Sequence, residues 1–173
     1  MNTTTRVLLT ALLCTAAVAC SKKVKETPPT DTGTGPSTGG VTDTGPTAPG
    51  AYGPNDLDTD ACLRQRVVYF DFDQDGLRSE FQAAMACHAK YLRDRPSARI
   101  TLEGNADERG SREYNLGLGE RRGNAVSSAL QANGGSGSQL TVVSYGEERP
   151  TCTESSEDCW AKNRRVEIVY TAK

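Results

Sequence analysis

The sequence predicts an α+β fold: helices packed on one face of a single sheet, built in the order βαβαββ. Three observations predict it. Short β-branched and aromatic runs alternate with longer segments of helical period from residue 61 onward. Gly, Pro and polar loops separate these segments at spacings suited to one small domain. The composition also changes sharply at Cys62, and everything before it lacks apolar periodicity. Of the 173 residues only 36% are apolar, while 17 are Gly and 8 are Pro, so part of the chain cannot contribute to a core.

The elements follow in order. Arg66 to Phe70 (RVVYF) reads as the first strand. Ser79 is placed to cap a helix running to about Arg93, with Phe81, Met85, His88 and Leu92 on one face. Pro96 ends that region, and Ala98 to Glu103 (ARITLE) alternates as the second strand. A polar loop, Gly104 to Gly110, leads to Ser111, the expected cap of a second helix carrying Leu118, Val126, Ala129 and Leu130. That helix stops at Asn133-Gly134-Gly135. Leu140 to Tyr145 is the third strand, a short helix is possible near Trp160, and Arg165 to Tyr170 (RVEIVY) is a fourth, well-covered strand.

Residues 1–19 read as a processing signal. Arg6 gives a basic start, and the uncharged run Val7 to Ala19 is too short to span a bilayer. It ends Ala17-Val18-Ala19-Cys20, which resembles the bacterial lipobox, whose Cys is diacylated and becomes the mature N-terminus. Two or three acyl chains anchor stably where one does not. Ser21 at the next position favours outer-membrane sorting; a plain secreted protein with a free Cys20 is the alternative. Residues 20–60 then form a lipidated, Thr/Pro/Gly-rich tether, with an end-to-end distance of ~35 Å and an extended reach of ~130 Å. Residues 61–173 are the folded domain. They carry sixteen Lys and Arg against sixteen Asp and Glu, so nothing favours nucleic acid, which needs a basic excess.

The stretch Gly104-Asn-Ala-Asp-Glu-Arg-Gly-Ser-Arg-Glu-Tyr-Asn-Leu-Gly-Leu-Gly-Glu-Arg-Arg122 closely resembles the signature of the peptidoglycan-associated lipoproteins (Pal) of the OmpA C-terminal-like family. Val68-Tyr-Phe-Asp-Phe-Asp73, Val143-Ser-Tyr-Gly-Glu-Glu-Arg-Pro150 and Asn163-Arg-Arg165 extend the likeness over nearly all of residues 66–170. The resemblance implies an outer-membrane lipoprotein, its domain facing the periplasm. It would bind peptidoglycan non-covalently through meso-diaminopimelate of the stem peptide, without enzymatic activity or cofactor. It also implies the Tol-Pal system of cell division and envelope integrity, with a TolB-like periplasmic partner. The family's binding positions fall on Phe72, Asp73, Asp107, Ser111, Asn115, Leu118 and Arg122.

The residues themselves suit that ligand. Its side chain ends in an ammonium and a carboxylate on one carbon, so a site needs an anion and a cation close together. Ser111, Asn115, Leu118 and Arg122 are spaced 4, 3 and 4 apart, which puts them on one helix face. Arg122 can clamp a carboxylate bidentately and Asp107 can hold the ammonium. Such a pair is expected at a ligand-facing surface; the bland alternative is an Asp107–Arg122 salt bridge tying loop to helix.

Other chemistries are weaker. Asp71, Asp73 and Asp75 before Gly76 suggest a calcium loop, but Gln82 stands where the bidentate Glu belongs and a strand precedes it. His88 is the only His and neighbours Cys87, yet no Cys spacing matches zinc, so no metal is assigned. An enzyme acting on the wall would need a base or metal that the motif lacks, and the tether leaves no room for barrel strands. A protein-binding adaptor of the Tol machinery with little wall binding remains the alternative, beside a calcium-binding periplasmic module. After lipidation Cys62, Cys87, Cys152 and Cys159 remain; they allow three connectivities, and we expect Cys62–Cys87 and Cys152–Cys159 in the oxidising periplasm.

Overall fold

Alternation along the strands decides which face meets the helices, and the computed structural model, which describes residues 50–173, shows the outcome. The expected signal, Cys20 and the tether through residue 49 lie outside the described residues. Four strands, β1 (Val67–Tyr69), β2 (Arg99–Asn105), β3 (Leu140–Gly146) and β4 (Arg165–Ala172), form one sheet in the order β1-β4-β2-β3. β4 is central and antiparallel to both neighbours, whereas β2 and β3 are parallel. A parallel pair needs a long crossover, and the helix Arg112–Ala132 supplies it. The mixed α+β architecture is thus as the sequence predicts, and the short helix expected near Trp160 forms as Glu157–Asn163 between β3 and β4, so the order from β1 onward is βαβαβαβ.

Four helices accompany the sheet: α1 (Asp56–Thr59), α2 (Gln82–Asp94), α3 (Arg112–Ala132) and α4 (Glu157–Asn163). The core joins Ile100 and Leu102 of β2 with Val166 and Ile168 of β4, beneath Met85 and Leu92 of α2 and Val126 and Leu130 of α3. Gly104, Gly119 and Gly123 bring α3 unusually near the sheet. A Cβ on Gly104 would fall on the backbone carbonyl of Gly119, and one on Gly123 would sit 2.6 Å from Val142 Cγ1.

Two expectations change. The tether was expected to run to Asp60, but α1 lies within that stretch and its Leu57 is wholly buried in the core, with Tyr52 packed against it. An apolar residue isolated among turn formers carries no period, so only packing reveals it. Ser79 does not cap α2. Ser79–Phe81 is a single 3₁₀ turn without a side-chain cap, and Phe81, drawn into the core, leads into the α-helix at Gln82. Ser111, by contrast, caps α3 as expected, its Oγ accepting from the Tyr114 N–H at 3.2 Å. Cys62–Cys87 and Cys152–Cys159 are both bonded, with Cα separations of 6.2 and 5.2 Å.

His88 is a packing residue. It is fully buried, its Nε2 is 3.1 Å from the Gln65 carbonyl and its Nδ1 2.8 Å from the Tyr170 hydroxyl. The carbonyl can only accept, so Nε2–H donates and Nδ1 accepts from Tyr170. Burial pushes the imidazole below its ordinary value of 6.5, and nearby Arg66 works the same way against the opposing Gln65 hydrogen bond. The unfolded chain therefore binds a proton near pH 6.5 that the folded chain refuses. Stability is complete above that pH and declines as pH falls below it toward the folded value. Urea midpoints should fall between pH 7.5 and 5.5, and less steeply in His88→Gln; equal slopes would place the loss in other groups.

Candidate functional site

The turn after β1 runs along α3, where Asp73 accepts from the Tyr114 hydroxyl and Asp75 pairs with Arg121. Arg122, five positions beyond Gly117 on α3, projects into this junction and is fully buried. Its Nε donates to the Gln74 carbonyl at 2.8 Å, and its terminal nitrogens to Asn105 O at 2.9 Å and Asp71 O at 3.1 Å. A guanidinium has five N–H groups, so one N–H on each terminal nitrogen is left over. Burial pushes Arg122 down to about 10, with Asp107 opposing, and it stays charged at neutral pH. The cation is therefore held rigidly, with two N–H donors left to offer.

A cleft of about 260 Å³ opens beside it. Phe72, Asp73, Asp107, Asn115, Leu118 and Arg122 line it, six of the seven residues singled out from the sequence. Ser111 is not among the lining residues; its Oγ is occupied by the helix cap. Arg109, Gly110 and Tyr114 complete the lining. The first two lie inside the loop motif, and Tyr114 is one turn along α3 from Ser111, so local spacing alone could have found them.

Asp107 is 4% exposed. Burial by itself would raise its carboxyl, but the Arg109 side chain, the Arg109 N–H and Arg164 together hold it below the ordinary value. Its ion pairs run to Arg109 at 2.7 Å and Arg164 at 3.3 Å. No Asp107–Arg122 ion pair forms among the described residues: the two share the cleft, but each is held by other groups. Both the bland salt bridge and a surface-exposed pair are thereby corrected. The reason is long-range, since the carbonyls that hold Arg122 come from the β1 turn and from the end of β2.

The remaining wall is aromatic and amide. Phe72 is 55% exposed, a large apolar ring facing solvent beside buried Leu118. Asp73 adopts a left-handed backbone, φ 57°, which a short polar residue tolerates in a turn, and it accepts from the Tyr114 hydroxyl. Asn115 Nδ2 donates to the Arg109 carbonyl at 3.2 Å and to Glu147. The acidic turn does not converge on a cation: Asp71 pairs with Arg78 and Asp75 with Arg121. No group of three potential metal ligands occurs among the described residues.

The chain is similar to known proteins along most of its length. A match to the OmpA family spans residues 69–164. The peptidoglycan-associated lipoprotein of Pseudomonas putida is 42% identical over 159 residues, covering 91% of this chain and 92% of that one. Its counterpart in Pseudomonas aeruginosa is 43% identical over 165 residues, with the same coverage of each. The crystal structure of the peptidoglycan-associated lipoprotein from Burkholderia pseudomallei superposes with a TM-score of 0.65 at 42% identity, covering 67% of this chain and 98% of that one. The C-terminal domain of Helicobacter pylori MotB, at 23% identity and a TM-score of 0.56 over 61% of this chain and 83% of its own, shares the fold. The chain belongs to the OmpA family and, within it, to the peptidoglycan-associated lipoproteins.

Proposed function

We propose that the cleft grips meso-diaminopimelate of the peptidoglycan stem peptide and so holds the outer membrane to the cell wall. The observation that carries this reading is the juxtaposition of charges in one cleft: a buried Arg122 with two N–H groups to spare, and the Asp107 carboxylate. The first suits the ligand's carboxylate and the second its ammonium, while Phe72 and Leu118 offer apolar contact to the methylenes between. No covalent chemistry is involved; binding is reversible.

The anchor is acylated Cys20, and the tether gives the domain reach from the outer membrane into the periplasm. Support comes from the Ala-Val-Ala-Cys20 ending and from lipoprotein relatives matched over 91% of the chain. The same resemblance supports a role in the Tol-Pal system, with a TolB-like protein as partner, in cell division and envelope integrity.

Co-sedimentation with purified sacculi tests the wall reading. The domain should pellet with walls containing diaminopimelate and much less with walls carrying Lys at that position, since Lys lacks the second carboxylate. Asp107→Asn keeps the shape but removes the charge, and should weaken binding by about 30-fold or more. Equal binding to both walls, or wild-type binding by a folded Asp107→Asn protein, would sink the assignment.

A further inference from the structure

Arg109 stands where a ligand cation would have to go. A carboxylate has about four lone-pair positions. In Asp107 all four are taken: Oδ1 accepts from the Arg109 N–H and Nε, both at 3.1 Å, and Oδ2 accepts from Arg109 at 2.7 Å and Arg164 at 3.3 Å. An incoming ammonium must therefore evict a donor. Arg164 is the harder one to move, with a side chain 7% exposed that also donates to the Phe70 carbonyl and to Glu157. The Arg109 side chain is 30% exposed. Among the described residues its guanidinium is held by Asp107, by Glu157 at 3.5 Å, and by two aromatic faces, Phe72 at 4.0 Å and Trp160 at 4.2 Å.

We propose that Arg109 sets the specificity of the cleft by competing for Asp107: the guanidinium occupies the ammonium's place, and only a ligand carrying its own cation can replace it. The inference rests on the wall-peptide reading of the same cleft. On binding, one cation leaves Asp107 and another arrives, so the buried carboxylate is never left without its charge partner. A ligand with the carboxylate alone gains Arg122 but leaves Arg109 in place, over the ring of Phe72. The exchange also uncovers the faces of Phe72 and Trp160.

Trp160 is the only tryptophan in the chain, so its fluorescence reports where Arg109 lies. The probes are the tripeptide Ala-Glu-diaminopimelate and the same peptide acetylated on the diaminopimelate side-chain amine, titrated by calorimetry and by fluorescence. Arg109→Gln removes the competitor yet keeps the backbone N–H on Asp107. It should bind the free tripeptide about two- to fivefold more tightly, the scale of a partly exposed ion pair. The acetylated peptide should show no such gain. Arg109→Lys, still a cation, should fall between wild type and Arg109→Gln, and saturating wild type should shift Trp160 emission. If wild type binds but Arg109→Gln binds equally or more weakly, or if emission stays fixed at saturation, the competition is overturned while the wall reading stands. If wild type binds neither peptide, the wall reading fails and the competition with it.

Discussion

Arg122→Ala is expected to unfold the domain or bring it close to unfolding. Arg122 is fully buried, and removing it takes its hydrogen bonds from the backbone carbonyls of Gln74, Asn105 and Asp71, of which, among the described residues, Asp71 keeps only the Gln74 N–H at 3.2 Å. It also empties the space of a long side chain packed beneath Phe70. Breaking a buried charged network of this kind costs about 3–5 kcal/mol. That is a large share of the ~5–15 kcal/mol a domain of this size holds. Arg122→Lys cannot restore it, because one ammonium cannot reach carbonyls that a planar fork reaches together. The measurement is the urea midpoint of both variants. A midpoint within ~1 kcal/mol of wild type would show that the turn after β1 holds itself without Arg122. The consequence for function is practical. Lost wall binding in Arg122→Ala would report lost structure, and the ligand's charge is better tested at Asp107 and Arg109.

Gly104→Ala should be about as damaging, by a different route. The added methyl would lie on the carbonyl carbon and oxygen of Gly119, which are backbone and cannot rotate away. β2 and α3 would have to separate, and the same contact sets the depth of Arg122, three residues further along the helix. Overpacking against backbone costs ~3 kcal/mol or more. Gly117→Ala is the matched control. It lies in the same helix, its Cβ would meet only the end of the Arg121 side chain at 3.5 Å, and it should stabilise by ~0.5–1 kcal/mol. Thermal melts of the two variants should move in opposite directions. A tolerated Gly104→Ala would mean that α3 can slide on the sheet without loss.

Local pattern carried much of this. The strands show as β-branched and aromatic runs, with alternation in Ala98 to Glu103, and the helical region around α2 shows as Phe81, Met85, His88 and Leu92, all buried. Six cleft residues were legible through the family resemblance, and three of them, Asn115, Leu118 and Arg122, also share a helix face by spacing. Ser111 shares the spacing but sits at the helix end, where its hydroxyl serves the backbone instead. Arg109 and Arg164 lie within the quoted motifs, yet neither was assigned a role: a guanidinium in a polar loop looks solvated until its partners are known.

The sequence by itself determined the α+β class and the helix face that builds the cleft, because each depends on periodicity or on turn chemistry; for the cysteines it left three connectivities, and the structure shows the expected one. Only the tertiary structure decided where the domain begins, what holds Arg122 and Asp107, and why α3 carries glycine where it meets β2. Arg122 meets carbonyls 17, 48 and 51 residues away, and Asp107 meets Arg164, 57 residues on. Hydrogen-bond satisfaction and close packing are properties of the assembled space, and no local pattern encodes which distant carbonyl or carboxylate will fill it.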